Sequence, residues 1–335
     1  MTCNNEWNQL EEIIVGTALS STIPFPNKSL MSCFYTDYDK DYITTVSGSF
    51  PEWLIEEQEE DLQRLANTLE NLGIKVHRPI ILEHDPINMH YHCPRDLTLI
   101  IGNTIIETPT PMFNRQNETK AYKHVFNYLN KHKGYTWIKA PQASFEPDNY
   151  LYTGDMEDIK GIPSLANKEI MFEAANCMRI NDDILYQVSN TGNELGGIWL
   201  QEILGCKYIV LISKNLYSYA HLDSTIIPLR EGLVLYNASR VREDNEPELF
   251  KSWDKIWIDE IETSPAIDGI PWGASEWIGL NLLSVNPNLA IVDGKQKQLI
   301  KKLNANKIDT IPLTLRHDRT ISGGFHCVTL DVIRK

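Results

Sequence analysis

The 335-residue chain lacks several features that would each have set its class. No apolar run is long enough to span a bilayer, so no membrane partner is expected. The opening residues, Met1-Thr2-Cys3-Asn4-Asn5-Glu6-Trp7, carry neither a basic nor an apolar segment, so no signal peptide is expected. Six cysteines (3, 33, 93, 177, 206 and 327) contain no Cys-x-x-Cys pair. They read as reduced thiols of a cytoplasmic protein, with no disulfide framework and no metal expected. No block of Lys or Arg interrupts a net charge of -14, which argues against nucleic acid as a partner and agrees with a cationic substrate. No low-complexity linker divides the sequence, which predicts a single catalytic domain over residues 1–335.

What is present is an ordinary water-soluble balance, 42% hydrophobic and 23% charged, enough to build a sizeable core. One unit recurs: an apolar strand, a polar turn and a second apolar strand. It appears over residues 97–107, 178–188, 226–236 and 282–292. Helical patterns are read at 53–72, 118–131, 193–204 and 295–303. In the first, Ile55, Leu62, Leu65, Leu69 and Leu72 share a face and Gly73 supplies a stop. Extended runs follow at 74–76, 135–138, 208–212 and 310–313. Repetition of strand, strand, helix, strand predicts an α/β ring or stack around a shared centre. Residues 20–50, rich in Ser, Thr, Pro and Tyr, read as a long loop of the kind that faces substrate.

The chemistry concentrates at the points where these units begin. Gly323-Gly324-Phe325-His326-Cys327 puts a thiol on a glycine turn ahead of an apolar run, a setting that lets a substrate approach a held sulfur. His221-Leu222-Asp223 precedes the third hairpin; with Leu222 in the core, His221 and Asp223 share the other face. Asp96 precedes the first hairpin and Glu173 the second. If the unit entrances converge, these acids meet, and a planar guanidinium is the cation best matched to them. Taken singly, each acid reads as readily as a turn cap facing water, and Cys327 as a core thiol.

Together the motifs resemble the arginine:glycine amidinotransferase family, within the superfamily of guanidino-group-modifying enzymes. The segments that carry the likeness are Glu6 to Gly16, Pro94-Arg95-Asp96 through Glu107, Phe172-Glu173-Ala174-Ala175-Asn176, His221-Leu222-Asp223 and Gly323 to Asp331. The resemblance spans most of the chain in order. It implies a pseudo-fivefold symmetric α/β propeller of ββαβ modules around a central active site. It implies that Cys327 attacks the guanidinium carbon of L-arginine, that His221 is the general acid and base with Glu173 as its acidic partner, and that the intermediate is an amidino-cysteine with ping-pong kinetics. Asp96 and Asp223 would hold the guanidinium, Arg240 the donor's carboxylate, and Ser275 would also bind the donor. Ornithine would be released and an amine acceptor amidinated, with no cofactor and no metal. Dimers are common in that family, so a homodimer is implied.

Some positions depart from the family pattern. Glu173 stands for Asp, and Asn176 for a second acid. Ala274 and Ser218-Tyr219-Ala220 replace residues found in glycine-using members, so the acceptor implied is a primary amine, glycine or a larger one. Two other readings differ in class. One is an arginine-hydrolysing relative, a deiminase or dihydrolase, against which Phe325-His326 before the cysteine counts. The other is a non-catalytic module of the same fold, against which the joint presence of Cys327, His221 and the acids counts.

Overall fold

A hairpin with one apolar face needs a neighbour to cover it. The chain meets that need by repetition. A computed structural model describes residues 3–82, 89–151 and 163–335. Among these, five mixed sheets of three strands share one plan: an antiparallel hairpin whose second strand pairs in parallel with a third. Thr98–Ile101 and Thr104–Glu107 are joined by Thr136–Lys139; Cys177–Ile180 and Asp183–Gln187 by Ile209–Ser213. Ile226–Arg230 and Leu233–Asn237 are joined by Asp254–Ile258; Leu283–Asn286 and Leu289–Asp293 by Asp309–Leu313. These are the four hairpins and the extended partners read from sequence.

The fifth sheet was not legible as a hairpin because its strands come from opposite ends of the chain. Leu10–Val15 runs antiparallel to Thr329–Arg334 and parallel to Lys75–His77. Pairing the two termini closes the series. In every sheet the first strand of the hairpin is almost wholly buried, while the third strand is only partly buried. The first strands therefore lie inward and the third strands form the rim.

A helix precedes the third strand in four units: Glu52–Asn71, Lys123–Lys133, Glu194–Leu204 and Lys297–Ala305. The third hairpin is followed by only a short 3-10 turn, Glu248–Phe250, matching the missing helical pattern there. In Glu52–Asn71 the buried face is Leu54, Gln58, Asp61, Leu62, Leu65, Ala66 and Leu69. Leu72, expected on that face, is instead the exposed C-cap, because Gly73 turns the chain with φ 80°. The helical pattern at 118–131 divides into a 3-10 turn, Glu118–Tyr122, and the helix Lys123–Lys133.

Residues 20–50, expected as a loop, hold two short helices, Lys28–Cys33 and Lys40–Val46, and a two-stranded sheet of Thr22–Ile23 with Gly48–Ser49. Asn27 and Asp39 cap the helices, and Leu30, Met31, Tyr35 and Ile43 anchor them in the core. The polar residues there mark caps rather than an unstructured connection. Beneath the centre, Arg95, Arg179 and Arg334 converge on Asp331, and Arg95 and Arg179 also reach Glu6. All are buried, so loss of any one partner would strand a charge at a cost of about 3–5 kcal/mol. All six cysteines are free, with only Cys206 exposed. Among the described residues, no helix is long and apolar enough to cross a membrane.

Candidate active site

Each unit delivers its polar residues from the segment just before its inner strand. Asp96 lies in a one-turn helix, Pro94–Leu97, immediately before the strand Thr98–Ile101. Glu173 precedes the turn Ala174–Asn176; His221 and Asp223 precede Ile226; Asn281 precedes Leu283; Cys327 precedes Thr329. Sheet repetition thus becomes convergence. A cavity of about 130 Å³ opens at the centre, lined by Cys327, His221, Glu173, Asp223 and Ser275 among others.

The His221 side chain is clamped by two acids. Its Nε2 lies 2.7 Å from Glu173 Oε2 and its Nδ1 3.6 Å from Asp96 Oδ1. Burial opposes charge on the ring, but Asp96 and the Glu173 hydrogen bond outweigh it and lift its pKa to about 9. Glu173 also accepts from Thr110 Oγ1 at 2.8 Å and from Arg115 Nη1 at 3.3 Å. Burial works against its ionisation, yet Arg115 and His221 hold its carboxyl below the usual range.

Asp96 receives Arg115 Nη1 on Oδ2 at 2.9 Å, while its Oδ1 is buried without a hydrogen-bond partner. Burial and the neighbouring carboxylates Glu173 and Asp223 raise its pKa despite His221 and Arg115. The Asp96 carboxylate, a His221 ring nitrogen and the Cys327 sulfur lie within 4.8 Å of one another. This trio is an electron-rich corner with an unfilled acceptor.

Cys327 Sγ donates to Asp223 Oδ2 at 3.1 Å. Burial first, then Asp223 and Asp96, pushes the thiol well above its ordinary pKa. Asp223 is held ionised, against its burial, chiefly by His326, whose Nδ1 lies 2.9 Å from Oδ2. The far nitrogen of His326 meets Glu6 at 3.3 Å, so the thiol sits at one end of a buried polar chain. The glycines before Cys327 serve packing rather than the substrate approach expected of them. A Cβ on Gly323 (φ 136°) would lie 2.7 Å from Cys93 Sγ, and one on Gly324 2.6 Å from Asn281 Cβ.

Sequence reasoning missed Asn281, whose Oδ1 accepts from the backbone N–H of both His326 and Cys327 at 2.9 Å. It also missed Arg115, which joins Asp96, Glu173 and Glu118. Neither sits in a motif; only the strand-entrance position of Asn281 could have flagged it. Asn176 does not line the cavity. Its amide is engaged by Ser189 and Thr191, so the lost acid leaves no gap in the acid cluster. Arg240 and Ser275 meet as expected partners, Nη2 to Oγ at 2.8 Å, but Arg240 lines an adjoining outer cavity, while Ser275 borders both. Ala274, Tyr219 and Ala220 wall the inner cavity.

No protein-family model matches the chain. The inosamine-phosphate amidinotransferase 1 of Streptomyces griseus is 40% identical over all of this chain and 97% of its own length. Its solved structure superposes with a TM-score of 0.93, covering 100% of this chain and 97% of that one. The L-arginine:L-lysine amidinotransferase of Pseudomonas savastanoi pv. phaseolicola is 31% identical, covering 98% of this chain and 93% of its own. An amidinotransferase of the saxitoxin biosynthetic pathway from Microseira wollei, 29% identical, superposes at TM-score 0.87, covering 100% of this chain and 97% of that one. With sheets, cavity and likeness in agreement, the chain belongs to the amidinotransferases, enzymes of the guanidino-group-modifying superfamily.

Proposed function

We propose that the protein transfers the amidino group of L-arginine to the primary amine of a phosphorylated aminocyclitol, releasing L-ornithine. The observation that carries this reading is the corner formed by Cys327, His221 and Asp96, with Asp96 Oδ1 unpartnered, in a chain of this family. A guanidinium seated there satisfies that oxygen and offsets the crowded acids. It also favours the thiolate, by placing a cation beside a sulfur that acids otherwise hold protonated.

As the guanidinium binds, the Cys327 thiol loses its proton to water, and the thiolate Sγ bonds to the guanidinium carbon. As the bond from that carbon to the donor nitrogen breaks, His221 delivers its proton to the nitrogen, and ornithine leaves. A pKa of about 9 keeps the ring charged at neutral pH, as an acid must be. The neutral imidazole, steered by Glu173, then takes a proton from the incoming amine. The amine attacks the amidino-cysteine, the carbon–sulfur bond breaks, and the thiolate returns. Asp96 and Asp223 orient the guanidinium; Arg240 and Ser275 lie at the cavity mouth, where the donor's carboxylate would extend. The acceptor assignment follows the Streptomyces relative's name and agrees with Ala274 and Ala220 widening the inner wall.

The test is arginine without acceptor. One ornithine per protein should appear in a burst, with one amidino group found by mass spectrometry on the peptide holding Cys327. Steady accumulation of citrulline would show hydrolysis instead, and Cys327→Ala retaining the burst would remove the nucleophile assignment.

A further inference from the structure

A second cavity, about 580 Å³, adjoins the first and shares its walls at Tyr217, Tyr219, Trp272 and Ser275. Three guanidinium groups border it: Arg240, Arg242 and Arg319. Two have partners. Arg240 donates to Ser224, Thr225 and Ser275 and stacks 3.6 Å over the Tyr217 ring. Arg242 is exposed and paired with Asp244.

Arg319 differs. Its Nε is buried without a hydrogen-bond partner, and its guanidinium is in no ion pair among the described residues. Its one side-chain contact of note is with Trp272, 4.6 Å from the ring centroid. The carboxylates that border the same cavity, Asp37 and Glu276, do not reach it. The main chain at this point is fixed, since the Arg319 carbonyl accepts from Gly273 and Ala274 N–H at 2.9 and 3.1 Å. That pair of bonds also fixes Gly273 and Ala274, which line the inner cavity together with Cys327.

A buried N–H left unpaired is costly, and a guanidinium placed over an indole ring has part of its freedom already removed. Phosphate is the ligand that uses such a fork best. We infer that Arg319 anchors the phosphate of the acceptor, so that the outer cavity is a phosphate subsite and Arg319 sets the preference for phosphorylated amines. This rests on the amidinotransferase reading above and adds the residue that would recognise the acceptor's anionic end. The donor's carboxylate has its own arginine in Arg240, so two anions can be held at once in neighbouring places.

The experiment compares inosamine phosphate with unphosphorylated inosamine as acceptors for wild type, Arg319→Met and Arg319→Lys. Methionine keeps a stem against Trp272 and leaves the backbone bonds in place. The expected result is a wild-type preference in kcat/KM for the phosphorylated amine that falls at least thirtyfold in R319M, through acceptor KM, and is partly restored in R319K. The arginine half-reaction, followed as the ornithine burst, involves no acceptor and should keep its rate. Failure of that burst in wild type would sink the function proposed above. An intact burst with an unchanged preference ratio would overturn only the phosphate anchor, whereas a wild type that does not favour the phosphorylated amine would overturn both the anchor and the acceptor assigned above. A changed arginine KM in R319M would assign Arg319 to the donor instead.

Discussion

Glu173→Gln removes one charge and almost no volume, and the site makes its consequence specific. The carboxylate accepts from Thr110, Arg115 and His221 at once. An amide has one acceptor oxygen and one donor nitrogen. If its oxygen stays on Arg115, its NH2 faces His221 Nε2, and that nitrogen must become an acceptor. The ring is then neutral and has no proton to give a departing amine. If the amide flips, NH2 faces the Arg115 guanidinium, donor against donor. Either way the arrangement that favours a charged ring is lost, and His221 should fall from about 9 toward its ordinary 6.5.

The magnitude follows. Near pH 7.5 a group with pKa about 9 is ~97% protonated, and one at 6.5 ~10%, so the ornithine burst should slow roughly tenfold from protonation alone. Near pH 8.5 the deficit should approach ~80-fold, and below pH 6 it should shrink to the cost of altered geometry. The assay is single-turnover ornithine release across pH in wild type and E173Q. Stability should move in the same sense. His221 has a folded pKa above its ordinary value, so its contribution is fully present below pH 6.5 and is lost as pH rises through about 9. Wild type should therefore lose up to roughly 3 kcal/mol over that window and E173Q much less. An E173Q burst whose alkaline limb still falls near pH 9 would refute the reasoning, since His221 would then owe its charge to something other than Glu173.

Asn281→Ala strands the buried N–H of Cys327 and leaves that of His326 only the Asn281 carbonyl, so it should lower stability by about 1–3 kcal/mol in urea unfolding and slow the burst. Alkylation of Cys327 by the neutral reagent iodoacetamide should be slow at neutral pH and rise steadily with pH. A small guanidinium ion too short to block the sulfur should accelerate it, because the cation offsets Asp223 and Asp96. Chelator should leave the burst unchanged, whereas added zinc should inhibit in competition with arginine, since Asp96, His221 and Cys327 would have to serve either the metal or the guanidinium.

The four hairpins were legible because each holds two apolar runs around a turn, a local signal. The fifth was not, since Leu10–Val15 and Thr329–Arg334 meet across the whole chain and no window of sequence contains both. The site divides along the same line. Cys327, His221, Asp96, Glu173 and Asp223 stand in short motifs at unit entrances, and once the entrances converge their meeting follows. Arg115 and Asn281 act through partners distant in sequence or supplied by another unit, so nothing local marks them. The glycines at 323 and 324 looked like a substrate path because composition reports only that a side chain is missing. What occupies the space, Cys93 sulfur and the Asn281 side chain, is decided by other units. Repetition explains why function was readable at all. Five copies of one entrance point at one centre, so a polar residue at any entrance becomes part of a shared site without further instruction from its own neighbours.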